Sequence, residues 1–266
     1  MNTLSKEELV ARLKTLGAYD VRVADPHKGF EHSIPERHPL AIFPKCRSVV
    51  VFIVPKPAWV NNTSLGVYTK NENPPLPHSV PGVLRLVDST HHQIASLRDY
   101  IFDRVWYGGA YFINRHGYHV ADSYNRELRP QEKLCAYEAG LGVYGRSGMI
   151  LHPELGNRIS PGVLLTDAPL EADEKVSDYQ PCGKCSACVR ICPGGAYEPS
   201  KTYPESFTNK QCHSARYALQ KEGKYCHECF RVCPAAKVPE KEMVIVRRVT
   251  SQGDKIPHDN KQNLEM

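Results

Sequence analysis

The cysteines between residues 182 and 233 constrain the fold of this chain more than any other feature. The chain of 266 residues contains 10 cysteines, and eight of them lie in this stretch. The first four have the spacing C-x2-C-x2-C-x3-C and are followed directly by Pro193: Cys182, Cys185, Cys188 and Cys192. The other four end in a second Cys-Pro pair: Cys212, Cys226, Cys229 and Cys233. This part of the chain must fold around whatever these sulfurs bind.

The spacing of the first run is that of thiolate ligands to paired iron–sulfur clusters, in which the fourth cysteine binds the neighbouring cluster. Eight cysteines supply two [4Fe–4S] clusters with four thiolates each. A reciprocal division gives a first set, Cys182, Cys185, Cys188 and Cys233. The second set is then Cys192, Cys212, Cys226 and Cys229. We expect the two clusters to lie close enough to exchange electrons.

Two alternatives use the same cysteines. Zinc also binds Cys-x2-Cys pairs, although a triple run closed by Cys-Pro exceeds what one tetrahedral site needs. A disulfide framework is typical of short secreted chains, and no secretion signal is visible here. Outside the run, we interpret Cys46 and Cys135 as buried structural thiols.

Composition predicts a core domain with a smaller module attached. Apolar residues make up 41% of the chain, which is enough for a sizeable core. No stretch of 18 apolar residues occurs, so we expect no membrane partner. The amphipathic N-terminus lacks signal-peptide features, which predicts a cytoplasmic protein.

Net charge does not favour a nucleic-acid partner. The formal charge is +5 with every cysteine counted as neutral. A [4Fe–4S] cluster with four thiolates carries about −2, so two clusters bring the protein close to neutrality. We therefore expect no binding to nucleic acid.

Hydrophobic periodicity predicts alternating helices and strands in residues 1–177, the α/β core. A helix at 5–16 begins with a Ser5–Glu8 capping box and ends at Gly17. The β-branched run 48–54 predicts a central strand that is buried on both faces. The remaining predictions are helices at 83–106, which carries His91 and His92, and at 128–138, with strands at 21–24, 118–121, 149–151 and 162–166.

Two long loops and two further regions complete this plan. Residues 25–46 and 55–82 are predicted loops, and the length of the second favours a role beside substrate or cofactor. Residues 178–240 form the cysteine module, and 241–266 a C-terminal strand and polar tail. The glycine-rich AGLGVYG (139–145) follows a helix instead of a strand, which argues against a dinucleotide-binding loop.

The segment AGLGVYGRSGMILHPELGNRISPGVLLTDAPL (139–170), followed by PCGKCSACVRICP, resembles the epoxyqueuosine reductase and corrinoid-dependent reductive dehalogenase superfamily. The strand CRSVVVFIVP (46–55) is also similar to that superfamily. The chain matches a short form, without the C-terminal helical-repeat extension of epoxyqueuosine reductases or the twin-arginine leader of dehalogenases. The resemblance implies an α+β fold: a nitroreductase-like α/β core followed by a ferredoxin-like module with two [4Fe–4S] clusters.

The same resemblance implies a cofactor and partners. A base-off cobalamin would lie between core and module, reduced by the nearer cluster, and would act on a small-molecule substrate. Electrons would enter at the farther cluster from an external donor such as a ferredoxin or flavodoxin. The candidate cobalamin-binding residues are small or polar: Gly140, Gly142, Gly145, Arg146, Ser147 and Gly148. In the alternative interpretation, these glycines only form tight turns.

The proton donor is the least certain of the implied residues, since the chain departs from the family here. Ungapped alignment puts Arg126 where epoxyqueuosine reductases have a carboxylate. Asp122, Glu127 and Tyr124 are therefore the candidate catalytic residues, with helix capping by Asp122 or Ser123 as the alternative. Two functions follow: a reductase with its own substrate, or an electron-transfer or corrinoid-reducing partner without one.

Overall fold

The computed structural model describes residues 3–55, 90–121, 129–201, 203–221, 226 and 228–235, and the side chains of 90–100 and 220 are not included. The predicted loop at 55–82 lies outside the described residues from 56 onward. The predicted C-terminal strand and polar tail lie outside them entirely. Within the described part of the chain, no helix is long and apolar enough to cross a membrane.

The first helix, α1 (Lys6–Leu16), forms for local reasons that the sequence shows. The Ser5 hydroxyl accepts a hydrogen bond from the Glu8 N–H, and the Glu8 carboxylate accepts one from the Ser5 N–H. Gly17 ends the helix in the left-handed conformation, at φ +117°. Both ends of the predicted helix are thus confirmed.

A three-stranded antiparallel sheet forms the centre of the core. Its strands are β1 (Asp20–Ala24), β2 (Ser48–Pro55) and β5 (Ile159–Thr166), in the order β1-β2-β5. All eight residues of β2 are buried. Its alternate side chains belong to two separate hydrophobic clusters, one on each face of the sheet. The prediction of a central strand buried on both faces is confirmed.

Helices cover the two faces of the sheet. On one face, α1 packs with α3 (Thr90–Arg115). On the other lie α4 (Glu132–Glu138) and a hairpin of β3 (Val143–Tyr144) and β4 (Ile150–Leu151). Short helical turns, Pro35–Arg37 and α2 (Pro39–Ile42), occur in the predicted loop at 25–46.

The described part of the cysteine module contains three helices and little apolar core. The helices are α5 (Ala187–Arg190), α6 (Asn209–Lys221) and α7 (Glu228–Arg231). Among its described residues, only Ala196 and Tyr197 are buried hydrophobic side chains. Hydrophobic burial therefore contributes little to its stability, and we expect bound metal to supply the rest.

Four predicted boundaries need correction. The helix predicted at 83–106 continues to Arg115 because Val105, Ala110 and Ile113 keep its buried face in helical register. The helix predicted at 128–138 begins only at Glu132, after Pro130, because proline disfavours the helical conformation in the residue before it. The strand predicted at 149–151 is two residues long, and β5 begins three residues before the predicted 162.

The strand predicted at 118–121 is reduced to a single bridge between Val120 and Thr166. The N–H of His119 donates to the Asp167 carboxylate at 2.7 Å instead of to a neighbouring strand. Because a side chain takes this hydrogen bond, the β ladder does not extend.

Candidate redox site

The eight cysteines of the module divide between two cavities. Cys182, Cys185, Cys188 and Cys233 line a small cavity beneath the turn at Arg146 and Ser147. Cys192, Cys212, Cys226 and Cys229 line a second cavity of about 870 Å³, between module and core. The structure thus brings together the same two sets that the spacing predicts.

Hydrogen-bond donors point at sulfurs of both sets. The Arg146 backbone N–H donates to Cys182 Sγ at 3.3 Å, and the Ala196 N–H donates to Cys192 Sγ at 3.4 Å. The Tyr197 hydroxyl interacts with the Cys229 sulfur and also donates to the Ser147 carbonyl at 3.3 Å. Such donors stabilise thiolate sulfur and tune bound clusters.

Three thiols of the module have a pKa that burial raises above its ordinary value. Burial, together with the nearby sulfurs of Cys182, Cys229 and Cys233, raises the pKa of Cys188 to about 11. Burial also raises the pKa of Cys212 and Cys229. Metal binding must therefore release protons from these thiols. The positive charge of the metal then balances the negative charge of the thiolates.

The described residues do not form a site for a single metal ion. Among the residues described, no group of three or more His, Cys, Asp or Glu side chains converges on a point that could hold one ion. A four-iron cluster has a different requirement, because each thiolate binds its own iron atom. Two separate groups of four cysteines with N–H and O–H donors fit this requirement.

The large cavity is walled by the core on the side opposite the second set. Its apolar surface comes from Phe102 and Trp106 of α3 and from Ile159 and Val163 of β5. The Trp106 indole N–H donates to the Val163 carbonyl at 2.9 Å, which fixes the ring. Core and module thus line one cavity, and part of its core side is apolar.

Polar atoms in this wall lack partners. Asn157 donates its amide Nδ2–H to the Phe230 carbonyl at 2.8 Å, but its Oδ1 is buried without a hydrogen bond. The Ser160 hydroxyl is also buried and unpaired. Because both residues line the cavity, a ligand with amide groups would satisfy them. The chemistry of this wall fits a corrinoid.

A lysine also lines the large cavity. Lys133 on α4 donates from Nζ to the Gly148 carbonyl at 2.9 Å. Burial lowers its pKa, although the sulfurs of Cys229 and Cys212 oppose that shift. The sequence did not reveal it, because a lone lysine in a short helix is typical of a solvated face.

Most of the predicted cobalamin-binding residues pack against other residues of the protein and do not line the large cavity. A Cβ on Gly140 would lie 2.1 Å from the Glu174 carbonyl oxygen, and one on Gly148 would lie 2.3 Å from the Tyr203 ring. Gly142 and Gly145 pack in the same way against Leu151. This packing favours the tight-turn alternative for all four glycines.

The two polar candidates have different positions. Ser147 lines both cavities, so it lies between the two sets of cysteines. Arg146 lines the small cavity only, where it contacts the module. A role of Ser147 and Arg146 in binding cobalamin stays a prediction.

The remaining candidates fall into two groups. Asp122, Tyr124 and Glu127 lie outside the described residues, as do the side chains of His91 and His92. Cys46 and Cys135 are buried in the core, as predicted, and burial raises the pKa of Cys46 to about 11. Burial raises the pKa of Cys135 as well.

Fold and site together define a mixed α/β core whose cysteine-rich module closes one side of a large cavity. The chain is similar in sequence to two kinds of reductase. The epoxyqueuosine reductase of Pseudomonas aeruginosa is 30% identical over 149 residues, which cover 51% of this chain and 37% of that protein. The tetrachloroethene reductive dehalogenase of Sulfurospirillum multivorans is 30% identical over 142 residues, covering 47% and 27%. The aligned segments span about a third of these relatives' lengths. No protein-family model matches the chain.

Solved structures of both kinds share the fold. A crystal structure of epoxyqueuosine reductase superposes with a TM-score of 0.54 at 19% identity, covering 87% of this chain and 65% of that one. A catabolic reductive dehalogenase superposes with a TM-score of 0.60 at 20% identity, covering 87% and 32%. The chain is therefore homologous to reductases, and its predicted resemblance to the epoxyqueuosine reductase and reductive dehalogenase superfamily is confirmed.

Proposed function

We propose that this protein is a reductase that passes electrons through two [4Fe–4S] clusters to a base-off cobalamin, which acts on a small organic substrate. The observation that carries the proposal is the division of eight cysteines between two cavities, one of which lies against the core. A structurally similar reductive dehalogenase is described as B12-dependent, which supports the choice of cofactor. A bound cobalamin supplies a cobalt centre that can be reduced and can then reduce a substrate.

The chain's own residues have separate tasks in this proposal. The first set binds the cluster that receives electrons from an external donor, and the second set binds the cluster next to the large cavity. Phe102, Trp106 and Ile159 exclude water from that cavity. Asn157 and Ser160 hold amide groups of the cofactor. The proton donor is one of Asp122, Tyr124 and Glu127, the candidates from the sequence.

An alternative function uses the same clusters without a substrate. The chain would then be an electron-transfer or corrinoid-reducing partner of another protein. The unpaired Asn157 and Ser160 atoms favour the enzyme, because a carrier needs no polar groups buried at an internal cavity.

Metal and corrinoid analysis of anaerobically purified protein tests the proposal. We expect about eight iron and about eight acid-labile sulfide per chain. Cobalamin should bind to this protein at equilibrium, and binding should weaken in an Asn157→Leu variant that keeps its iron. Iron near four, or zinc in its place, would refute the two clusters. Full iron without cobalamin binding would favour the carrier.

A further inference from the structure

The Arg146 side chain joins the core to the module beside the first set of cysteines. Its Nη1 donates to the Pro199 carbonyl at 3.1 Å, and its Nη2 donates to the Gly183 carbonyl at 3.2 Å. Gly183 follows Cys182 directly, and Cys182 Sγ accepts the Arg146 backbone N–H. The guanidinium is therefore held beside the cavity that the first set lines.

The charge of this guanidinium is not neutralised locally. Both carbonyl partners of Arg146 are uncharged, and its Nε is buried without a hydrogen bond. In the described ranges, no carboxylate lies within ion-pair distance of it. Other cations in the module are exposed or paired: Lys184 is exposed, and Arg231 forms an ion pair with Glu228. Solvent screens the charge of Lys184, and Glu228 balances that of Arg231. The charge of Arg146 is screened less than either.

We propose that Arg146 is a positioning residue that raises the reduction potential of the first cluster, through its charge and its two carbonyl contacts. This proposal rests on the two clusters of the proposed function. Reduction adds one electron from a low-potential donor, which changes the charge of cluster and thiolates from about −2 to about −3. A fixed positive charge stabilises the more negative state. The Arg146 contacts also hold the loop that begins at Cys182.

Redox titration of the anaerobic protein, with dithionite as electron donor and electron paramagnetic resonance as readout, tests the proposal. Arg146→Gln should lower the potential of the first cluster and leave that of the second unchanged. Arg146→Lys should cause a smaller decrease, because the charge stays while the paired carbonyl contacts are lost. Lys184→Gln is the matched control, since it removes an exposed cation from the loop that Arg146 contacts at Gly183. It should shift the potential less than Arg146→Gln.

The titration separates a redox role from a merely structural one. Loss of the signal in Cys188→Ala identifies the first cluster, and loss in Cys229→Ala identifies the second. An unchanged first potential in Arg146→Gln would overturn the proposal, as would equal decreases in the Gln and Lys variants. If Arg146→Gln loses the first cluster, the potential of the first cluster in Arg146→Lys tests the proposal instead. A decrease supports the proposal, and an unchanged potential overturns it. A parent protein without iron would instead overturn the proposed function, before any variant is compared.

Discussion

Replacing Gly140 by alanine distinguishes a glycine that contacts a cofactor from one that packs against its own chain. Gly140 follows α4 in the left-handed conformation, at φ +75°. Its N–H donates to the Tyr137 carbonyl at 3.0 Å, and the next N–H donates to the Ala136 carbonyl at 2.9 Å. A glycine in this conformation is typical of a helix C-terminus. The Cβ of alanine would lie 2.1 Å from the Glu174 carbonyl oxygen.

The magnitude follows from two contributions. The left-handed conformation costs a non-glycine residue about 1–2 kcal/mol. Overpacking against a fixed neighbour costs about 1–3 kcal/mol, and the neighbour here is backbone. We expect Gly140→Ala to reduce the free energy of unfolding by about 2–5 kcal/mol, a large part of the about 5–15 kcal/mol of a typical domain.

Gly17→Ala provides the matched control. Gly17 also follows a helix with positive φ, but its nearest obstacle is the Cγ2 methyl of Ile101 at 2.9 Å, which can shift. We expect it to cost only the conformational part, about 1–2 kcal/mol. Urea denaturation under nitrogen, followed by circular dichroism, measures both variants. If Gly140→Ala unfolds at the urea concentration of the parent protein yet no longer binds cobalamin, the packing argument is wrong.

Three further predictions follow from the sulfur contacts and the buried thiols. Cys188→Ala and Cys229→Ala should each lose one cluster, seen as a halved iron content, and should expose the module to protease; a variant that keeps all its iron would contradict the two sets. Tyr197→Phe removes a hydroxyl that interacts with the Cys229 sulfur, so it should lower the potential of the second cluster only, and an unchanged potential would refute that role. Burial raises the pKa of Cys46 to about 11, so about 1% is thiolate at pH 9, and iodoacetamide should leave it unmodified until the core unfolds. Mass spectrometry checks this, and rapid labelling of folded protein at pH 9 would show that the thiol is not buried.

The sequence predicted most where one local cause determines the structure. The capping box at Ser5 and the glycine at 17 define α1, and the β-branched run at 48–54 defines β2. Short loops bring Cys182, Cys185 and Cys188 to one cavity, and the Cys-Pro pairs direct Cys192 and Cys233 to the opposite sets, as the motif predicts. Each of these sequence patterns is compatible with one local structure.

Prediction failed where distant residues compete for the same groups. The strand at 118–121 does not form because Asp167, 48 residues further along the chain, accepts the His119 N–H. Glu174 and Tyr203, which lie against the glycines at 140 and 148, are likewise distant in sequence from them. Such contacts depend on tertiary packing, which no local pattern encodes.

The two cavities give the proposed electron path a direction. Of the two sets, the second lines the large cavity against the core, whereas the first lines the small cavity at the turn that carries Arg146 and Ser147. Ser147 lies between them, and its carbonyl accepts the hydroxyl of Tyr197, which contacts the second set. In the proposed path, an electron that enters at the first set would reach the large cavity through the second. Since Arg146 contacts only the first set and Tyr197 only the second, combining Arg146→Gln with Tyr197→Phe should lower both potentials independently. A potential that shifts in the double variant beyond its single-variant value would show that the two clusters are coupled through Ser147.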